Sequence, residues 1–150
     1  MSEVVDRLLD WCDDADLTWR ALEGTVYLRL DPEDRLEVRV AQSSDDGALR
    51  LHDAVDLSGG GLSAERLAEV IEDVVLSRSS LVDARPTADG QGAEVVVVIH
   101  ADGLNRHTFL EAVFELQKVR LLLRREVGAA LAAEQTVATL AALVDAAPSA

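Results

Sequence analysis

The sequence predicts an α+β fold in which a twisted antiparallel sheet of about five strands carries flanking helices, in the order α-β-β-β-α-β-β-α. Three observations predict it. Apolar residues recur at spacings of three and four within 5–12, 67–75 and 109–123, the period of a helix that buries one side. Between those segments the apolar period drops to two, the mark of strands with one dry face. Polar turns carrying Pro32, Gly47 and Gly90 separate the period-two runs. The 150 residues fit one domain, 1–150, with an Ala-rich C-terminal helical extension from 129 onward. A domain of that size buries about 68–70% of its unfolded surface, and with only 3% aromatic residues its core must be aliphatic.

Taken in order, Val5, Leu8, Leu9 and Cys12 form one stripe and predict a helix over 2–15. Ser2 is its N-cap, and Glu3 and Asp6 suit the positive end of its dipole. Residues 17–22 read as a strand, with Glu23-Gly24 as its turn or bulge. Segments 25–30 and 35–40 place apolar residues at even positions on either side of Asp31-Pro32-Glu33-Asp34, which predicts a hairpin. If Leu30 lies opposite Leu36, Arg29 faces Glu37 and Tyr27 faces Arg39, both favourable cross-strand pairs. A tighter loop would set Arg29 against Arg35, so the first register is preferred.

After the polar loop 43–47, Leu49, Leu51, Val55 and Leu57 alternate again. Gly59-Gly60-Gly61 is a flexible joint. Ser63 then caps a second helix with the stripe Leu67, Val70, Ile71, Val74 and Val75, ending near 77–80. Pro86 cannot donate to a ladder and marks 81–87 as an edge strand or a strand end. The turn 89–92 leads into Val95-Val96-Val97-Val98-Ile99. That run is apolar on both sides, so cover on both sides is expected, the second from another subunit. Asn105 opens a long helix with Phe109, Leu110, Val113, Phe114, Leu116 and Val119 on its apolar side, broadening at Leu121-Leu122-Leu123. Gly128 is expected to interrupt it, since an interior glycine costs about 1 kcal/mol relative to alanine. The Ala-rich remainder should form a further helix or an angled continuation.

Charge narrows the function. Against 28 acidic residues stand 14 basic ones, a formal net charge of −14. Such a surface repels phosphate backbones and anionic bilayers, so neither nucleic acid nor membrane is expected as a partner. Of the basic residues only Lys118 is lysine, which fits the coding bias of a GC-rich bacterial genome; a salt-adapted host is the other reading. The first residues show no basic leader or apolar signal core, and no apolar run approaches the about 20 residues that span a bilayer. A cytoplasmic protein is expected. Cys12 is the single cysteine, which excludes an intramolecular disulfide and a Cys-based zinc site.

Each hint of chemistry has a plainer reading. Gly59-Gly60-Gly61 could cradle a phosphate, but no Gly-Lys-Ser/Thr follows and dinucleotide spacing is missing. His100, Asp102 and His107 fall near a strand end and a helix start, without a third ligand at helical spacing to His107. Cys12 sits on a core-facing stripe among aspartates, which raises a thiol pKa and argues against a nucleophile. The pairs Asp13-Asp14 and Asp45-Asp46 lack the ligand spacing of a calcium loop. No catalytic residue, cofactor or metal is therefore expected. Trp11 and Trp19 flank the first helix, either as a binding hot spot or as a seal on one end of the core.

The order of elements resembles the type III secretion chaperone-like superfamily, including its YbjN-type domains. The resemblance is carried by the hairpin 25–40, the strand 48–57, the helix 63–76, the strand Glu94-Val95-Val96-Val97-Val98-Ile99-His100 and the helix 106–116, and it spans about residues 2–127. It implies homodimerisation, through 63–76 and 81–100, and capture of a partner's extended segment along apolar grooves or a sheet edge. On that footing Val26, Leu28, Leu36, Val38, Trp11 and Trp19 are the expected partner-binding residues, and Val70, Val74, Val96 and Val98 the expected dimer interface. An acidic rim would favour basic partners. A regulatory or structural homodimer that docks folded partners is the alternative, and an enzyme of unrecognised type a third reading.

Overall fold

The computed structural model describes residues 3–23, 25–29, 37–43, 45–57, 61–77 and 82–146, the side chain of Glu37 aside. Their elements are α1 (Glu3–Asp14), β1 (Thr18–Leu22), β2 (Thr25–Arg29), β3 (Glu37–Gln42), β4 (Leu49–Asp56), α2 (Ala64–Leu76), β5 (Val82–Pro86), β6 (Gly92–Ile99) and α3 (Arg106–Ala146), with a 3-10 turn Ala101–Gly103 ahead of α3. The strands form one antiparallel sheet in the order β1-β2-β3-β4-β6-β5. It has six strands where about five were expected, the segment near 17–22 supplying an edge strand.

Cross-strand charge predicts the hairpin register correctly: Arg29 lies opposite Glu37 and Tyr27 opposite Arg39. Ser2, Leu30, Leu36, the turn 31–34, Gly59 and Gly60 lie outside the described residues. β4 and β6 pair along eight positions, and that long ladder centres the sheet. It opens at Gly92, where a Cβ would stand 2.4 Å from the carbonyl oxygen of Val55, so only glycine lets the two backbones approach this closely.

Directly paired residues share a face of the sheet, and one face is apolar from edge to edge. Val26, Leu28, Val38, Val40, Leu51, Val55, Val95 and Val97 all point into a core closed by Leu8 and Cys12 of α1, Ile71 and Val74 of α2, and Phe109, Val113 and Leu116 of α3. Local chemistry sets where the helices begin. The Ser63 hydroxyl accepts from the Arg66 N–H at 3.1 Å and starts α2. Asn105 and Thr108 cap α3 reciprocally, each side chain bonding the other's backbone N–H at 2.9 Å. At the end of α1, Asp16 takes a left-handed conformation (φ 56°), and the Leu17 N–H donates to the Cys12 carbonyl at 2.8 Å as the chain turns into β1.

Two sequence expectations are corrected here. α3 runs unbroken through Gly128 for 41 residues, because the glycine sits among alanines and other good helix formers that offset its small penalty. An 18-residue stretch of this helix is also long and apolar enough to cross a membrane by length and composition, contrary to the reading that no run comes close. Residues 132–146 are exposed throughout.

One polar pair lies inside the core. Asp53 on β4 and Arg120 on α3 are 1% and 2% exposed, and Arg120 Nη2 stands 3.1 Å from Asp53 Oδ1. The same nitrogen lies 3.4 Å from the Ala54 carbonyl. This ion pair joins the middle of the sheet to the long helix.

Candidate protein-binding surface

Among the described residues nothing packs over the opposite face of the sheet. Reading directly across it, Arg20, Tyr27, Arg39, His52, Val96 and Asp83 form one row. A neighbouring row holds Leu22, Thr25, Ala41, Arg50 and Val98. All of these side chains are half-buried or exposed, in contrast to the apolar face. Val95, Val97 and Ile99 are covered by the chain's own core, whereas Val96 and Val98 are only half-buried. None of the described residues supplies the second cover expected for this strand.

Charge is distributed unevenly over the molecule. Arg20, Arg29, Arg39 and Arg50 stand on four successive strands of the open face, four of the 14 basic residues of a chain with net charge −14. The Arg20 guanidinium lies 4.7 Å from the centre of the Tyr27 ring, a cation–π contact between two neighbouring strands. His52 Nδ1 is 3.4 Å from Glu94, and Asp83 pairs with Arg85 at 3.3 Å. Half-buried valines beside fixed arginines offer apolar area and anion recognition together. Strand alternation shows each arginine on a wet face; the register sets Arg20 and Arg39 in one row on either side of Tyr27, with Arg29 one row to one side, opposite Glu37, and Arg50 one row to the other.

The two sheet edges differ. β5 carries Pro86, which has no N–H to offer, and the charged pair Asp83–Arg85, both features that block an added strand. β1 pairs on one side only, with β2, and ends at Leu22, which is 56% exposed. Its other side is the better template for an incoming strand.

Trp11 and Trp19 are both half-buried near this edge. The Trp19 indole N–H donates to Asp13 at 2.7 Å, while the Trp11 ring lies 5.8 Å from that of Phe109 and beneath the Arg7 guanidinium at 5.3 Å. Val26, Leu28 and Val38 are no more than 1% exposed and face the core, beneath the strands whose other side is open. Val70 and Val74 are buried on α2 at a groove beside α3, so the four residues expected at a dimer interface divide between the two sides of the sheet.

Among the described residues no group of three or more His, Cys, Asp or Glu converges as a metal site would require. His107 meets Glu111 of its own helix at 3.5 Å. Cys12 is fully buried, and burial first, then the Asp13 charge, pushes its thiol up to about 12. Thiol reagents at about pH 8 should leave the native protein unmodified and titrate one thiol after denaturation; rapid native labelling would contradict this burial. With the folded value raised above the ordinary 9.0, the native state holds its proton longer, so this group's stabilising contribution is complete below pH 9 and declines above it as pH rises towards 12.

No protein-family model and no curated protein matches the sequence. Solved structures do match in three dimensions. YbjN from E. coli, described as a candidate transcription regulator, superposes with a TM-score of 0.60 at 16% identity, over 85% of this chain and 93% of that one. An uncharacterized protein from Methanothermobacter thermautotrophicus gives 0.65 at 17% identity, over 84% and 97%. A chain of the HopA1–SchA chaperone–effector complex gives 0.62 at 12% identity, over 81% and 93%. The chain therefore has the fold shared by type III secretion chaperones. It is likewise similar in fold to YbjN, the type of domain that the order of its elements resembles.

Proposed function

We propose that this chain is a non-enzymatic protein-binding module that holds an extended segment of a partner at the β1 edge and across the arginine-bearing face of the sheet. One observation carries the reading: a six-stranded sheet is packed on one face only, leaving half-buried valines, Tyr27 and four arginines in the open beside an unpaired edge. The likeness to a chain of a chaperone–effector complex supports it. Backbone pairing at β1 would provide affinity in a sequence-tolerant way, and side chains across the sheet would provide selection. Trp11 and Trp19 flank the entry to that edge, and Val26, Leu28 and Val38 support the strands from the core side. The arginines change the expected chemistry of the partner: a segment on this face is acidic and apolar in alternation, although the molecule as a whole would favour basic ones.

An array of linear peptides tests this. Acidic–apolar segments should bind, and Arg39→Glu with Arg50→Glu should weaken binding at least about ten-fold, equivalent to about 1.4 kcal/mol. Binding should also fall with added salt, since exposed charges are screened beyond about 10 Å at 0.1 M. Both arginines lie on the outer face, so thermal stability should move little, within about 0.5 kcal/mol. Indifference to every linear segment, together with binding of folded proteins, would favour the second reading, a homodimer that docks folded partners. The observation in its favour is the exposed apolar line on α3, where Val137, Leu140, Leu143 and Val144 are each more than half exposed.

A further inference from the structure

We infer that the projecting end of α3 is a dimerisation arm, and that it seats in the groove between α2 and α3 of a second copy of this chain. The inference rests on the helix and the groove, not on the segment-binding reading of the open sheet face.

Residues 132–146 extend past the last core residue, Ala130, and touch nothing that buries them. At 1.5 Å per residue those fifteen residues reach about 22 Å. The arm propagates from α3 without a new nucleus, but in proteins most of a helix's stability comes from packing an apolar face, and this face has no cover among the described residues. The stripe on it has a definite period. Ala130, Ala133, Val137, Leu140 and Val144 follow one another at spacings of 3, 4, 3 and 4, the a/d pattern with which one helix meets another. Val137, Leu140 and Val144 on this line are 66%, 57% and 73% exposed.

The complementary surface belongs to the same chain. A groove of about 660 Å³ runs between α2 and α3, floored by Val70, Val74, Leu122, Ala129, Ala130 and Ala133. The alanines leave room for a helix backbone to come close. Leu122, Ala129 and Ala133 lie on the flank of α3 that continues through Val137, Leu140 and Val144, so groove and arm form one continuous strip along one helix. A strip that carries both halves of an interface satisfies itself about a two-fold axis, the arm of each copy entering the groove of the other.

Charge agrees with an antiparallel arrangement. Within 132–146 the only charged residues are Glu134 and Asp145, both acidic, while the groove carries two arginines, Arg66 and Arg125, beside Asp73 and Glu126, with Arg125 3.3 Å from Glu126. Running the partner helix antiparallel, with Val144 near Leu122, delivers Asp145 to Arg125. A bilayer is the other apolar surface such a helix could meet. The arm has no basic residue with which to meet lipid headgroups, and Glu134, Gln135 and Thr136 interrupt its apolar stretch.

Sedimentation velocity on the full chain tests the proposal, with Val137→Glu plus Leu140→Glu as the disrupting variant. The native chain should sediment as a dimer, and the variant should self-associate at least about a hundred-fold more weakly while its core stays folded, any loss of helical circular dichroism being confined to the arm. Arg125→Glu should weaken the dimer about five- to ten-fold, and adding Asp145→Arg should restore it. A native chain that is monomeric at high micromolar concentration would overturn the inference, as would a dimer indifferent to both sets of variants. Flotation of a monomeric chain with phosphatidylcholine–phosphatidylglycerol vesicles would assign the arm to membrane instead.

Discussion

Arg120→Ala is expected to destabilise the chain by about 3–5 kcal/mol, because it leaves the Asp53 carboxylate charged within the core. For a domain of this size that corresponds to a fall in melting temperature of roughly 10–15 °C. The cost is mostly desolvation. At 1% exposure Asp53 has little access to water, and Arg120 supplies its opposite charge at 3.1 Å. Asp53→Ala should be comparably damaging, since it strands the guanidinium beside the Ala54 carbonyl. Removing both charges gives the contrasting result: Asp53→Leu combined with Arg120→Met should lie near the native stability or exceed it, as apolar replacements of buried ion pairs often do. Thermal or urea denaturation of the single and double variants reads the coupling between the two residues. A single variant within about 1 kcal/mol of native would mean that water reaches the pair.

This pair also shows where sequence reading stops. The alternation Leu49, Leu51, Val55 places position 53 on the dry face, yet an aspartate occupies it, and Arg120 falls on the apolar side of α3 between Val119 and Leu123. Each residue by itself resembles an irregularity in a pattern. Only the packing of α3 across β4 makes them partners, and that crossing is a long-range contact between residues 67 positions apart. Local rules sufficed elsewhere. The charge pairs Arg29–Glu37 and Tyr27–Arg39 set the hairpin register, Ser63 the start of α2, and Pro86 the edge strand, because each depends on neighbours in sequence or directly across a turn.

The open face was legible only in part. Arg20, Arg29, Arg39 and Arg50 each occupy the polar phase of a strand, but strand order and register are needed to place them on four neighbouring strands of one face. The source of the second cover over Val95–Ile99 was illegible for a related reason. Hydrophobicity on both phases shows that water is disfavoured there, whereas whether a helix supplies the second cover depends on how many helices the chain can place. The three helices among the described residues are all used on the other face. Gly128 misled because a propensity of about 1 kcal/mol is small against a long run of alanine and leucine.

Phe109→Ala is the second large effect, an expected loss of about 3–5 kcal/mol for removal of a fully buried aromatic ring. Its consequence should reach further than the cavity. Phe109 is fully buried and its ring lies 5.8 Å from that of Trp11, at the contact between α3 and α1. Without the ring, α1 loses a main apolar anchor next to the β1 edge, so Trp11 should become more exposed and its fluorescence shift to the red. Phe114→Ala on the same helix is the control: that ring is 46% exposed, and its removal should change stability by no more than about 0.5 kcal/mol. The comparison separates two roles for the tryptophans. If Trp11→Ala and Trp19→Ala lower stability as Phe109→Ala does, they seal the end of the core and affect partner binding only through the fold. If they leave the melting temperature in place while binding of acidic–apolar peptides falls, the half of each ring that faces outward is part of the surface that receives the partner.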